Sequence, residues 1–143
     1  MSETSGPTIT GVHHLSFTVT DLERSLDWYQ RLFGAERVDY KFVHLHREST
    51  GYGILLVTPV SGVVIGLHTN TGNRHEGFDE ARTGLDHISL QVGSRADLEA
   101  WSTWLDELGI EHTPIRDQTE PFVYSTVVFR DPDDIQLEFV AVG

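Results

Sequence analysis

Four residues, His14, His68, His87 and Glu138, have the types and spacing to hold a metal ion. The chain has eight histidines against ten lysines and arginines, and no cysteine, so thiolate clusters, disulfides and cysteine nucleophiles are excluded together. A metal here must sit on imidazole, carboxylate or carbonyl ligands. Three imidazoles and one carboxylate suit one divalent ion of the borderline group, iron, zinc, manganese, nickel or cobalt, better than calcium or magnesium, which prefer all-oxygen shells. Such a centre keeps about one net positive charge for a pair of substrate oxygens, which is Lewis-acid chemistry.

What positions these residues is an internal repeat. His14-Leu15-Ser16-Phe17-Thr18-Val19 matches His87-Ile88-Ser89-Leu90-Gln91-Val92 at an offset of 73 residues, and the same offset carries Trp28 onto Trp101 and Leu32 onto Leu105. A repeat of this size means one supersecondary unit used twice. Each copy opens with the period-two alternation of a strand: Leu15, Phe17 and Val19 share one face, His14, Ser16 and Thr18 the other. Each then becomes helical. Leu22, Leu26, Tyr29 and Phe33 form a stripe ending near Gly34, with Thr20-x-x-Glu23 as the expected capping box; Leu98, Trp101, Leu105 and Leu108 repeat it, with Ser94-x-x-Asp97 as the cap.

Strand-like stretches follow at 37–46, 53–57 and 63–68, and again at 111–115, 122–129 and 135–140. The reading is therefore an α+β chain of two βαβββ modules, 9–69 and 85–142, joined by a Gly-, Asn- and charge-rich linker at 70–84. The modules form a curled, barrel-like mixed-sheet cleft with helices outside. Ile135, Leu137 and Phe139 share a face and leave Glu138 on the other; Ile65 and Leu67 likewise leave His68. If the apolar faces pack under the helices, His14 and His68, and His87 and Glu138, point to the opposite, concave face.

Composition narrows the partners. At 143 residues and 38% hydrophobic, the chain can build one packed core, and no apolar run approaches the length of a membrane span. A net charge of −12 repels nucleic-acid phosphates and anionic lipid headgroups, so neither nucleic acid nor membrane is expected. The first residues show no secretory signal pattern, and a cytoplasmic setting is expected.

The paired His-x-x-x-x-Val strands at His14 and His87, the Asp21-Leu22-x-x-Ser25-x-x-Trp28-Tyr29 helix start and the closing Asp131-Pro132…Leu137-Glu138-Phe139 stretch resemble the vicinal oxygen chelate superfamily of glyoxalases, epimerases, extradiol dioxygenases and fosfomycin and bleomycin resistance proteins. The resemblance runs from about Ile9 to Val142. It implies metal ligands from the first and last strand of each module, here His14, His68, His87 and Glu138, and a homodimer. The sequence departs from the family pattern in two places. Asp134 stands where relatives often have glycine, and is expected to take the left-handed turn conformation. His68 stands where glyoxalase I members place a carboxylate or amide, and is read as a ligand or a base.

The leading reading is a glyoxalase-like isomerase or lyase in which a small substrate with neighbouring oxygens chelates the metal and an enediolate or oxyanion is stabilised. His68 and Glu138 are its candidate catalytic groups, and Tyr124 a candidate donor to an oxyanion. The alternatives are an iron(II) ring-cleaving dioxygenase built on His14, His87 and Glu138, with His68 as acid or base, and a non-enzymatic drug-binding resistance protein. His13 has the opposite strand parity to His14 and is assigned to the helix side or a dimer seam. His44 and His46 read as strand surface, Trp28 and Trp101 as core or dimer packing, His75 and His112 as loop residues without a chemical role.

Overall fold

A computed structural model describes residues 6–143. The chain runs β1 (Leu15–Thr18), α1 (Leu22–Phe33), β2 (Glu36–Arg37), β3 (Phe42–Val43), β4 (Tyr52–Val57) and β5 (Val64–His68), then β6 (Ile88–Gln91), α2 (Arg95–Glu107), β7 (Arg116–Gln118), β8 (Tyr124–Arg130) and β9 (Gln136–Val142). It is an α+β fold with two mixed sheets. One has the order β1-β5-β4-β2 with β3 also on β4; the other has β6-β9-β8-β7. In each, the opening and closing strands are parallel neighbours: Thr18 pairs with His68, and Ser89 with Glu138. Among the described residues, β1 and β6 have no strand on their outer side.

The helices start and stop for local reasons, one of them not as expected. Asp21, not Thr20, caps α1, its carboxylate accepting from the Arg24 backbone N–H at 3.1 Å. The Thr20 hydroxyl is drawn away to Asp133, 113 residues later. Ser94 caps α2 by accepting from Asp97 N–H at 3.1 Å, so the two caps also stand 73 residues apart. Gly34 closes α1 at φ 61°, and Asp134 takes the left-handed turn at φ 64° as anticipated.

The expected strand at 37–46 breaks into β2 and β3, because the chain folds back after Arg37, with Tyr40 N–H bonded to Val38 O, and turns again at His44–Arg47. His46 sits at φ 62°, which no strand tolerates. The stretch at 111–115 contributes a lone bridge, His112 to Phe129, and pairing resumes only at β7.

One apolar core serves both halves. Leu26, Tyr29 and Leu32 of α1, Leu56, Ile65 and Leu67 of the first sheet, and Leu98, Leu105, Val127, Leu137 and Phe139 of the second half are all buried in it. Aromatic contacts tie α1 to the far sheet: Trp28 lies 6.3 Å from Phe129, and Phe33 6.4 Å from Phe139, which stacks on Trp101 at 4.4 Å. The Trp104 indole N–H donates to Leu32 O at 3.0 Å. Trp28 and Trp101 are thus packing residues. Because the helix-bearing faces of both sheets meet this core, the faces carrying the metal-ligand candidates are the uncovered ones. No helix among the described residues is long and apolar enough to cross a membrane.

A polar latch holds α1 to the closing turn of the second half. Tyr29, fully buried, donates its hydroxyl to Asp131 at 2.8 Å, while Asp131 accepts backbone N–H groups of Asp133 and Ile135 at 2.8 and 2.9 Å. Asp133 in turn accepts from Thr20 N–H and from the Arg24 guanidinium, each at 3.0 Å.

Candidate metal centre

On the first sheet, His68 closes β5 and lies over two glycines. A methyl group at Gly53 would come within 2.4 to 2.6 Å of the His68 ring, and one at Gly66 within 2.5 Å of Ser16 Oγ. The bare Cα of Gly53 therefore opens the hollow in which the imidazole sits, and a methyl group at Gly66 would stand 3.4 Å from its Nε2. His44 stands beside it with ring centroids 5.0 Å apart, its Nε2 donating to Thr69 O at 3.1 Å. Burial, then the neighbouring His44 and His14, push the His68 pKa below the ordinary imidazole value. The ring is neutral at pH 7, and its buried Nδ1 has no hydrogen-bond partner. His14, just before β1, is exposed and its Nδ1 contacts His13 Nδ1 at 2.8 Å. His13 accordingly lies against the candidate ligand itself.

The hollow makes a direct prediction. Gly53→Ala should drive His68 out of its seat and into solvent, so the His68 pKa, followed by NMR titration of the ring protons, should rise toward the ordinary imidazole range.

On the second sheet, His87 precedes β6 and Glu138 occupies the neighbouring β9. Asp86 holds His87 Nδ1 at 2.5 Å, turning His87 Nε2 toward Glu138 Oε1 at 3.8 Å. This is the orienting carboxylate that a metal-binding imidazole usually has. Two donors bound to one ion at about 2.1 Å and the tetrahedral angle are about 3.4 Å apart, so a small rotation suffices for both to share an ion. Tyr124 faces the same way as Glu138, but Val128 is Glu138's neighbour on β8, and four residues of strand put Tyr124 about 13 Å off. Its ring packs on Phe122 with centroids 5.2 Å apart.

The candidate ligands thus fall into two pairs, His14 and His68 on one sheet and His87 and Glu138 on the other. Among the described residues of one chain, no three such donors come within reach of a common ion. The donor chemistry of each half fits a divalent metal; completing the set takes a closer approach of the two uncovered faces than one chain makes. His44, read from sequence as strand surface, stands instead beside a candidate ligand, and Asp86 was not picked out by sequence. The only signal for Asp86 was its place immediately before a candidate ligand.

Comparison with known proteins bears on the family and the fold. A family model for the Glyoxalase/Bleomycin resistance protein/Dioxygenase superfamily matches residues 11–139. A glyoxylase/bleomycin resistance protein/dioxygenase domain from Frankia sp. is similar in structure with a TM-score of 0.80 and 32% identity, covering 95% of this chain and 94% of that one. The genomically encoded fosfomycin resistance protein FosX of Listeria monocytogenes shares the fold at a TM-score of 0.67 and 21% identity, with 95% and 94% of the two chains covered. A curated relative, the metallothiol transferase FosB of Bacillus licheniformis, is 25% identical over 91% of this chain and 74% of its own length. With the repeat, the two mixed sheets and the matched span in agreement, the chain belongs to the glyoxalase/bleomycin resistance protein/dioxygenase superfamily.

Proposed function

We propose that this protein is a divalent-metal-dependent enzyme that acts on a small, oxygen-rich substrate, a glyoxalase-like lyase or isomerase, and that it works as a homodimer. The observation that carries the reading is the aimed pair His87 Nε2 and Glu138 Oε1, 3.8 Å apart and oriented by Asp86. Relatives support the metal: one is a metallothiol transferase, and the Listeria FosX protein forms a complex with Mn(II). A bound divalent ion would supply Lewis-acid polarisation of substrate oxygens.

His14, His68, His87 and Glu138 would hold the ion, with Asp86 fixing the ring of His87. The neutral His68 imidazole, if it is not spent as a ligand, takes a proton from the substrate carbon and returns it, the work of a base poised below neutral pH. Burial first, and then the neighbouring His44 and His14, favour the unprotonated form of that imidazole. Tyr124, at the far end of the face, would serve a distal substrate group rather than the reacting atoms.

The same geometry supports the dimer. The two pairs lie on uncovered faces next to two sheet edges, β1 and β6, that lack strand partners among the described residues. Joining β1 of one copy to β6 of a second satisfies both edges and brings His14 and His68 of one chain against His87 and Glu138 of the other. Two equivalent sites result.

Subunit mixing tests this. His14→Ala and Glu138→Gln chains should each bind little Mn(II) alone. Refolded together in equal amounts, they should regain about one quarter of the wild-type sites, because half the dimers carry one intact site of two. A mixture that binds no more than its separate components rules out ligands shared between chains.

A further inference from the structure

The two halves are not equally packed where the last turn of each meets the helix of the other. The 73-residue offset pairs Thr58-Pro59 with Asp131-Pro132, Val60 with Asp133, Gly93 with Thr20, Asp97 with Arg24 and Ser102 with Tyr29. At one end Tyr29 fills the space, and Thr20, Arg24, Asp131 and Asp133 form the latch. At the other, every latch residue has been exchanged, the Tyr29 counterpart is a serine, and Val60 stands fully exposed in a left-handed conformation.

What remains is a cavity of about 560 Å³ between the β4–β5 turn, the end of β6 and α2, walled by Phe33, Trp101, Trp104 and Phe139. Asp97 is the one charged residue lining it. Thr58 and Ser61 hydroxyls satisfy each other at 2.7 Å, so the turn has its own closure and does not depend on an occupant.

We propose that this cavity binds a small aromatic amine, at a site separate from the metal-ligand faces. The ring takes the place that Tyr29 fills in the other half, and the protonated nitrogen faces Asp97. The volume is that of a small-molecule site. Indole walls attract organic cations, and a chain of net charge −12 favours cationic over anionic ligands in the surrounding field. An anionic ligand would meet Asp97 with no basic residue to compensate.

The test uses the full chain and phenethylamine, with phenylpropionate as the anion of like shape, followed through the indole N–H resonances of Trp101 and Trp104. Saturable shifts are expected with phenethylamine, and binding about tenfold weaker with phenylpropionate. Asp97→Asn should bring the two ligands to within about twofold of one another. Ala100→Phe, which narrows the cavity from α2, should abolish the shifts while leaving Mn(II) binding intact. No saturable shift at millimolar phenethylamine, or equal affinity for amine and acid, overturns the proposal. So does a fall in sedimentation coefficient on Ala100→Phe, which would make a second chain the occupant. The indole shifts and the amine-to-acid preference do not depend on whether the metal centre forms, so this site and that one fail separately.

Discussion

Replacing Glu138 with glutamine should lower Mn(II) affinity by at least about 100-fold while leaving the fold unchanged. Glutamine keeps the shape and an amide oxygen but removes the one negative charge in a set otherwise made of neutral imidazoles. Hard divalent ions depend on that charge most. The side chain stands on the uncovered face with 18% exposure, and its backbone stays in the β9 ladder. Urea midpoints should therefore match the wild type within error. Equilibrium dialysis against Mn(II) reads the loss directly, and undiminished ion content would leave the proposed centre without its anionic ligand.

The second large effect concerns stability against pH. Asp131 is 5% exposed, and burial raises its carboxyl pKa to about 6 despite hydrogen bonds from Ile135, Tyr29 and Asp133. In the unfolded chain the group titrates near 3.9. Between those values the folded state holds a proton that the unfolded state has released, so stability falls as pH rises through the window. Two units correspond to at most about 3 kcal/mol, present below pH 4 and lost above pH 6.

Asp131→Asn should flatten that fall. The amide oxygen can still accept both backbone N–H groups, and the Tyr29 hydroxyl can turn to accept from the new amide nitrogen. Urea unfolding from pH 4 to 7 should show a declining wild-type curve and a nearly level variant curve. Tyr29 itself stays neutral throughout, since burial and the Asp131 and Asp133 carboxylates raise its pKa further.

Much of this was legible in the sequence because repetition reveals what single elements hide. His14 and His87, with the Ser and Val that follow each at the same spacing, disclosed two equivalent units before any strand was assigned. Alternation then placed Glu138 and His68 on the faces away from Leu137 and Leu67. Two-residue strands such as β2 and β3 are too short to leave a period, and the Asp21 cap was masked because Thr20 has the better local pattern but a distant partner. Alternation also tells which face a residue occupies, not which sheet that face meets. The latter was decided by Trp28, Phe33, Trp101 and Phe139 packing the helices into one core, a contact with no local signature.

The outer sides of β1 and β6, open among the described residues, carry one more consequence. A seam that joins unlike edges is directional: it stops at two copies only when a two-fold axis makes both seams close on each other, and otherwise runs on from chain to chain as a ribbon. The proposed dimer has one ion site in each seam, and a ribbon would repeat that site at every junction, so the two-fold axis rather than the ion is what keeps the assembly finite.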